Sequence, residues 1–493
     1  MLNKIKIQVS EMLDTMAEAI NYLPSLKAEE QGSFIADIGA MIDSIDKILS
    51  SGERYTEIIS HGESLKNALA DHTNPGGWEN LCKIYDTYAE TLDAVPVRYK
   101  VVFLPYYSST WDSLESVYRA FEADPLFVTE VVIMPVLRNT PTGYTHIYED
   151  YLTPIIPNTH YDNYDFETDL PDIVFWSQPY DESNYPKFQS QNIKKYTKLL
   201  VYIPYYLYIR YEYEKENLSK VVDEVSHLSG HKNMDIFVAP GPAYIKDFRM
   251  SRNIKKMVAL GNPKLDYIFK HRKFYPKYPD WDKITAGKTV FMLNIHYMAQ
   301  NDYYQFQKEM EYILSIIEET EDAALIWRPH PLSFNMINVE SENNPVKQSW
   351  NKLVNCVRSS PNMILDRTPG YISSVMYSDA VLSMQSSLIP AAVFMDKPVF
   401  VLQSKVMNVY ASCREKKKAS PFDKNNLFIS SVCVMGSFDP DKQKLALERF
   451  MEDIIKGIDT KKDLRKAYNE QNYVNLDGNC GKAVCEYIKA NYV

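Results

Sequence analysis

The most constraining feature of the sequence is a repeated pattern between Ala324 and Val401. Short apolar runs alternate with helix-length segments, and each run ends in polar residues or in turn-forming Pro and Ser. This rhythm is typical of parallel βα units, in which the carboxyl ends of the strands and the first turns of the helices line a ligand crevice. The stretches that contain the four runs are Leu325–Pro331, Ile364–Asp366, Ser378–Ser387 and Asp396–Val401.

Polar residues at the ends of these runs predict a pocket for a diphosphate. Ser386 and Ser387 open the segment Leu388–Met395, so two hydroxyls and the free amides of a helix start can bind an anion there. Arg328 and His330 follow a neighbouring strand and can supply positive charge. Each feature also has an ordinary explanation, as a rigid loop or an N-cap pair. Their recurrence at successive strand ends favours the pocket.

Length, charge and cysteine usage exclude several classes of protein. A chain of 493 residues is too long for one ordinary core, so two or three domains are expected. The net charge of −10 gives no nucleic-acid footprint, and we expect no nucleic-acid partner. The six cysteines show neither CxxC nor zinc-ligand spacing, which predicts reduced, structural thiols in a cytoplasmic protein. We also expect no metal and no cofactor. No signal-peptide core and no apolar run of about 20 residues is present.

The distribution of apolar residues predicts four regions. Residues 1–95 have helical spacing without a convincing strand, which indicates a helical region that packs on the catalytic body or mediates homo-oligomer formation. Strand-like runs alternate with helices over 96–273 and again over 285–460, on either side of a linker at Phe274–Ile284. Helices over 461–493 are expected to cross back onto the first sheet domain. The prediction is an α/β fold with two Rossmann-like parallel-sheet domains facing each other across a cleft.

Three blocks, in this order, resemble signature blocks of the CDP-glycerol glycerophosphotransferase family. They are Gly261–Asp266, Arg328–Pro331, and the stretch Ser378–Pro398 with its paired serines. Members of this family build teichoic acids and related phosphopolyol polymers, and the resemblance covers about residues 98 to 460. It implies a GT-B fold, a CDP-alditol donor in the C-terminal domain, a glycan or lipid-linked polymer acceptor in the N-terminal domain, and no obligatory metal.

The resemblance implies a transferase that moves glycerol-phosphate, or a similar alditol-phosphate, from a CDP-linked donor to a hydroxyl of a glycan or teichoic-acid-like polymer. Two alternatives stay open: a GT-B glycosyltransferase that uses a nucleotide sugar, and a non-catalytic family member that acts as a binding scaffold. Lipid-linked acceptors also suggest peripheral contact with the inner face of the cell membrane. The basic run Lys416–Lys418 is too short to argue this contact alone.

Residue roles follow from this interpretation. Ser386, Ser387, Arg328 and His330 are assigned to the donor phosphates, and His330 is also a candidate proton donor to the leaving group. Asp366 and Asn262 are the candidates for nucleoside contacts.

The base that activates the acceptor is open, because Pro204–Leu207 stands where family members carry a Trp-His-Gly-Thr-like run. Asp112 is the leading candidate, with a helix-capping role beside Glu115 as the alternative. The other candidate site residues are Tyr205, His296 and His160.

Overall fold

The computed structural model describes residues 1–49, 55–140, 143–152, 154–207, 228–248, 253–272, 274–296, 303–338, 340–368, 370–384, 386–404 and 427–493. Lys416–Lys418 lies outside the described residues. The chain forms two compact units. The first comprises Met1–Val101, Asp124–Thr129 and Phe166–Ile173, and the second comprises Val102–Ala123, Glu130–Asp165 and Val174–Val493.

The first unit is mainly helical. Its long helices are Asn3–Tyr22, Ala28–Leu49, Thr56–Ala70 and Gly77–Asp93, and a short helix covers Phe166–Asp169. Apolar residues that recur every three or four positions form its core, because such spacing places them on one face of each helix. The buried set on the first two helices is Val9, Leu13, Met16, Ile20, Ile38, Ile42, Ile45 and Leu49. The predicted helical region at the start of the chain is confirmed.

The second unit contains a seven-stranded sheet in the order β5-β2-β1-β6-β7-β8-β9. The strands are β1 (Tyr99–Leu104), β2 (Phe127–Ile133), β5 (Thr159–His160), β6 (Ile173–Trp176), β7 (Leu199–Tyr202), β8 (Ile236–Ala239) and β9 (Met257–Ala259). Strands β1, β2 and β6 begin in residues that are grouped with the first unit. An antiparallel hairpin, β3 (Val136–Thr140) and β4 (Gly143–Ile147), follows β2.

A six-stranded parallel sheet follows in the order β12-β11-β10-β13-β14-β15. The strands are β10 (Thr289–Asn294), β11 (Ala323–Trp327), β12 (Met363–Leu365), β13 (Ala380–Ser383), β14 (Val399–Val401) and β15 (Val434–Met435). The four runs that dominate the sequence pattern are therefore β11 to β14. The predicted α/β class with two Rossmann-like sheets is confirmed, since buried strands of this kind read as nearly continuous apolar runs.

Helices connect the strands of both sheets. In the second unit they cover Glu115–Glu122, Ser190–Ile193, Pro242–Phe248, Pro263–His271, Pro279–Thr285, Tyr303–Glu319, Pro331–Asn338, Pro345–Ser359, Ile372–Tyr377, Leu388–Phe394, Leu427–Val432, Pro440–Ile455, Lys462–Asn472 and Cys480–Tyr492. Short 3-10 segments cover Ser108–Ser113, Tyr161–Asn163, Asp181–Ser183, Pro186–Phe188 and Ser229–Lys232 in the same unit, and Leu23–Ser25 in the first.

Local structure differs from the sequence pattern in two connections. The stretch predicted as a linker, Phe274–Ile284, contains most of the helix Pro279–Thr285, and its Trp281 packs against Val290 and Ile326 of the second sheet. The Tyr377 hydroxyl also accepts from the Tyr278 N–H at 2.9 Å and donates to Asp282 at 2.7 Å, so burial and hydrogen bonds together hold this segment. Apolar spacing predicts a helix from Trp111 to Ala123, whereas the structure has the 3-10 segment Ser108–Ser113 followed by the α-helix Glu115–Glu122.

The last helix packs on the first sheet domain. Cys480–Tyr492 contacts the helices Glu115–Glu122 and Pro263–His271. The buried carboxylate of Asp266 accepts hydrogen bonds from the N–H groups of Cys480 at 3.0 Å and Gly481 at 2.8 Å, which satisfies two of the free amides at that helix start. A Cβ on Gly481 would lie 2.3 Å from the backbone of Ser116, so only glycine permits this close approach.

Gly481→Ala should therefore destabilise the chain. Overpacking of this kind costs about 1–3 kcal/mol, because backbone rather than a flexible side chain opposes the new methyl group. Urea unfolding of the full chain measures the loss. Lys482→Ala, at the exposed neighbouring position, is the control and should stay within about 0.5 kcal/mol of the parent. Equal stability of the two variants would contradict the packing described here.

Candidate active site in the cleft

Arg328 follows β11, and its guanidinium is buried against the loop that follows β12. Its Nη1 donates to Asp366 Oδ2 at 2.5 Å and to the Thr368 carbonyl at 3.1 Å. The other oxygen of Asp366 accepts from the N–H and the hydroxyl of Thr368, both at 2.7 Å, and Ser374 donates to Oδ2. Both carboxylate oxygens are thus engaged, and the pair holds Arg328 at the carboxyl ends of two adjacent strands. The structure uses Asp366 to orient Arg328, and its nucleoside role stays a prediction.

Two histidines lie beside Arg328. The Nδ1 atom of His330 accepts from the Leu332 N–H at 3.1 Å, so the proton of the neutral ring is on Nε2. The ring centroids of His330 and His296 are 5.7 Å apart. Burial, with His296 and Arg328 as further causes, lowers the pKa of His330 to about 4.

Burial likewise lowers the pKa of His296 to about 4. Both imidazoles are therefore neutral at pH 7. The positive charge that the sequence suggested for His330 comes in this structure from Arg328, and the imidazole supplies a hydrogen-bond donor.

Asp112 lies in the 3-10 segment after β1, and its buried carboxylate forms an ion pair. Its two oxygens are 2.9 and 2.8 Å from Lys264 Nζ. The Tyr371 hydroxyl, contributed by the second sheet domain, is 3.5 Å from Oδ2. Burial raises the pKa of Asp112, and Lys264 opposes that rise. The carboxylate is therefore held between the sheet domains in an ion pair, while Glu115 contacts Lys270 at 3.4 Å.

Tyr371 lies beside the Asp112–Lys264 pair. Lys264 Nζ lies 5.3 Å from its ring centroid. Burial, followed by the charge of Asp112, raises the pKa of Tyr371 well above its usual value, and Arg328 opposes the rise. We call Asp112, Lys264, Tyr371, Arg328 and Asp366 the cleft cluster.

Asn294, the last residue of β10, connects the neighbouring strand ends. Its Nδ2 donates to the Arg328 carbonyl at 3.0 Å, and its own carbonyl accepts from the Met384 N–H at 3.1 Å. The loop after β13 is thereby tied to the loop after β11 at one edge of the sheet.

The paired serines, Ser386 and Ser387, lie in the loop after β13. Ser386 Oγ accepts from the Leu388 N–H at 3.1 Å, and Ser387 is exposed. Ser386 therefore caps the first turn of the helix Leu388–Phe394, at the same sheet edge as Arg328, with β10 between the strands that the two residues follow. Phosphate binding by these hydroxyls stays a prediction.

Asn262 has a positioning role in this structure. Its Oδ1 accepts from the Lys264 N–H at 3.0 Å, which caps the helix Pro263–His271, and its Nδ2 donates to the Tyr206 carbonyl at 3.1 Å. Both ends of the amide bind backbone groups. Asn262 thus fixes the helix start that carries Lys264, and its nucleoside role stays a prediction.

Two predicted residues have partners elsewhere. His160 ends β5, at one edge of the seven-stranded sheet, and its ring centroid is 4.0 Å from that of Tyr148. Tyr205 follows β7, and its ring centroid is 5.2 Å from that of Tyr206. Burial, followed by the charge of Tyr180, raises the pKa of Tyr205. Their proposed roles as base or stacking residue stay predictions.

Sequence reasoning missed Lys264, Tyr371 and Asn294. Lys264 stands inside the block Gly261–Asp266, so the block itself was a signal, whereas no local pattern marks the other two. Within the described ranges, no group of three or more His, Cys, Asp or Glu side chains is arranged to hold a metal ion. Among those same residues, no helix has both the length and the apolar character needed to cross a membrane.

Comparison with known proteins gives the class of fold. The sequence matches no family model, and a search of curated proteins returns no match. Among solved structures, similarity extends over most of the chain, and two parallel α/β sheets in this arrangement define a GT-B-like fold.

Three of these structures are named here. A candidate UDP-N-acetylglucosamine 2-epimerase from Listeria monocytogenes has a TM-score of 0.52 at 14% identity, over 80% of this chain and 97% of that chain. UDP-GlcNAc 2-epimerase from Methanocaldococcus jannaschii has a TM-score of 0.49 at 13% identity, over 80% of this chain and 100% of that chain. The wall teichoic acid polymerase TagF has a TM-score of 0.47 at 10% identity, over 87% of this chain and 97% of that chain.

The low pKa of the paired histidines can be measured. NMR titration of ¹³C-His-labelled protein, assigned with His330→Asn and His296→Asn, should place both values near 4. Arg328→Met should raise the pKa of His330, because it removes one of the charges that lower this pKa. Since the unfolded chain binds more protons between pH 4 and about 6.5, folding stability should fall as the pH drops through that window. A midpoint near 6.5 for His330 would contradict the buried, neutral assignment.

Proposed function

We propose that this chain is a transferase that binds a nucleotide-diphosphate donor in the cleft and moves an alditol-phosphate from a CDP-linked donor to a hydroxyl of a glycan or teichoic-acid-like polymer. The observation that carries the proposal is the cleft cluster, in which Tyr371 of the second sheet domain reaches the Asp112–Lys264 pair of the first, while Asp366 holds Arg328 in the second domain. The GT-B-like fold and the three sequence blocks support the same conclusion.

The reaction is a displacement at phosphorus. The acceptor hydroxyl attacks the phosphorus that bears the alditol, a new P–O bond forms, and the bond to the CMP oxygen breaks. The hydroxyl proton passes to the carboxylate of Asp112, whose raised pKa makes it a better base than an exposed aspartate. CMP leaves with the electron pair of the broken bond.

Charge on the departing phosphate must be stabilised by groups that are already in place. Arg328 is held by Asp366 and Thr368, so its orientation costs no further ordering when the donor binds. The Nε2–H of neutral His330 donates a hydrogen bond to the same phosphate, and a bound anion would raise the pKa of that ring. Amides and hydroxyls at Ser386 and Ser387 complete the proposed donor site.

A nucleotide-sugar glycosyltransferase would use the same groups on the donor diphosphate. The sequence blocks Gly261–Asp266 and Arg328–Pro331 favour the alditol-phosphate donor. Product analysis with CDP-glycerol, CDP-ribitol and UDP-sugars separates the two reactions. Turnover with a UDP-sugar alone would overturn the alditol-phosphate proposal.

Arg328→Met should weaken binding of CDP-glycerol by roughly 10- to 100-fold, the loss expected for a hydrogen bond between charged groups. Calorimetry on the full chain measures it. Arg358→Met is the matched control, because Arg358 is exposed near the end of the helix Pro345–Ser359, at the opposite edge of the sheet. Unchanged affinity in Arg328→Met, with the parent binding the donor, would remove Arg328 from the donor site.

The Asp112–Lys264 pair predicts a specific pH profile. The carboxylate form is lost as the pH falls through the pKa of Asp112, so kcat/KM should decline on the acid side. Lys264→Met removes the charge that opposes the rise of this pKa, and the acid limb should move to higher pH by about 1–3 units.

Two variants serve as controls for that profile. Lys264→Arg keeps the charge and should restore the parent profile. Lys270→Met changes an exposed lysine on the same helix, so its profile should match the parent. An acid limb that stays in place in Lys264→Met would exclude Asp112 as the titrating base.

A further inference from the structure

Residues from β4, from the segment that follows it and from the loop after β6 form a surface cluster of aromatic rings. Tyr148 lies with its ring centroid 4.0 Å from His160 and 5.7 Å from Tyr161. Tyr161 is 5.4 Å from Tyr185, and Tyr185 is 5.5 Å from His146. All five rings are partly exposed. We call these five residues the aromatic platform.

The platform is fixed before any ligand arrives. Lys187 Nζ donates to the carbonyls of Tyr161 and Tyr164, the latter at 3.0 Å, and lies 5.4 Å from the Tyr161 ring centroid. The Nδ1 of His160 accepts from the Asp162 N–H at 3.2 Å. Rigid, partly exposed aromatic rings lose little conformational entropy on binding, which is the property of a preorganised binding surface.

The platform lies on the side of the sheet that carries the cleft cluster. His160 is paired with Ile133 at the carboxyl end of β2, next to β1, which leads into Asp112. Between these regions, the Arg138 guanidinium lies 5.3 Å from the ring centroid of Tyr107. Its Nε and Nη2 donate to the two oxygens of Glu149, the residue after Tyr148, at 3.0 and 2.8 Å.

The charges around the platform select the chemistry of its ligand. Burial, followed by the charge of Asp150, raises the pKa of Tyr148, and burial, followed by the charge of Asp162, raises the pKa of Tyr161. Burial lowers the pKa of Lys187, and the charges of Asp162 and Asp165 oppose that fall. The three carboxylates are exposed. Arg138 is paired with Glu149, and Lys187 donates to backbone carbonyls, so negative charge is in excess around the rings. A polyanion would be repelled here, whereas carboxylates accept hydrogen bonds from sugar hydroxyls and aromatic faces stack on sugar C–H groups.

We propose that the aromatic platform binds neutral sugar residues of the acceptor, placing a hydroxyl of the acceptor chain toward Asp112. This inference rests on the proposed function, because it names the chemical class of the acceptor. It narrows that class to a neutral glycan segment and excludes a polyphosphate chain at this surface.

Binding of neutral oligosaccharides tests the platform without any nucleotide. Calorimetry with maltohexaose, cellohexaose and chitohexaose should detect saturable binding of at least one probe by the full chain. Tyr161→Ala and Tyr185→Ala should each weaken that binding by about 3- to 10-fold, the loss expected for one aromatic contact. Tyr161→Phe keeps the ring and should bind like the parent.

The matched control is Tyr144→Ala. Tyr144 is on β4, the strand that also carries His146 of the platform. It is 74% exposed and lies outside the platform, so its loss should leave binding unchanged. Melting temperatures verify that each variant is folded, and Tyr161→Phe and Tyr185→Ala keep the test decisive if Tyr161→Ala does not fold.

The outcomes separate this inference from the proposed function. Absence of binding to all three probes, equal loss in Tyr144→Ala, or tighter binding of a glycerol-phosphate oligomer than of the neutral probes at low salt would overturn the platform. Sugar binding by a chain that shows no donor binding or transfer would support the platform while the proposed function fails.

Discussion

The buried ion pair between Arg328 and Asp366 is the interaction on which the candidate site depends. Both groups leave water on folding, and a buried charge is tolerated only when it is paired and hydrogen-bonded. Thr368 and Ser374 complete the hydrogen bonds that the pair leaves open. The loops after β11 and β12 must therefore keep this conformation, and a fixed guanidinium at the sheet edge is the consequence.

The same constraint operates on the opposite side of the cleft. Asp112 is buried and is compensated by Lys264, whose helix start is in turn capped by Asn262. Tyr371 of the second sheet domain lies beside this pair, close to Asp112 and Lys264. Because each pair compensates its own charge, the cleft holds two oriented cations, Arg328 and Lys264, each beside a carboxylate.

Much of the fold was predictable because its signal is local. Strands such as Tyr99–Leu104 and the helix Tyr303–Glu319 have the bounds that apolar periodicity indicates. The hairpin β3–β4 was not predicted, because the described residues of β4 are mostly exposed and show no apolar alternation. The helix Pro279–Thr285 was also missed, since its order comes from Trp281 packing against strands distant in sequence.

The sequence by itself determined the α/β class, the position of the βα series, and Arg328, His330, Ser386 and Asp112 as candidates near strand ends. These follow from local periodicity and from the rule that parallel strands end at one edge of a sheet. Tertiary structure alone decided that Asp112 pairs with Lys264 and approaches Tyr371, and that the histidines are neutral. Such facts depend on burial and on contacts between residues far apart in the chain, which no local pattern encodes.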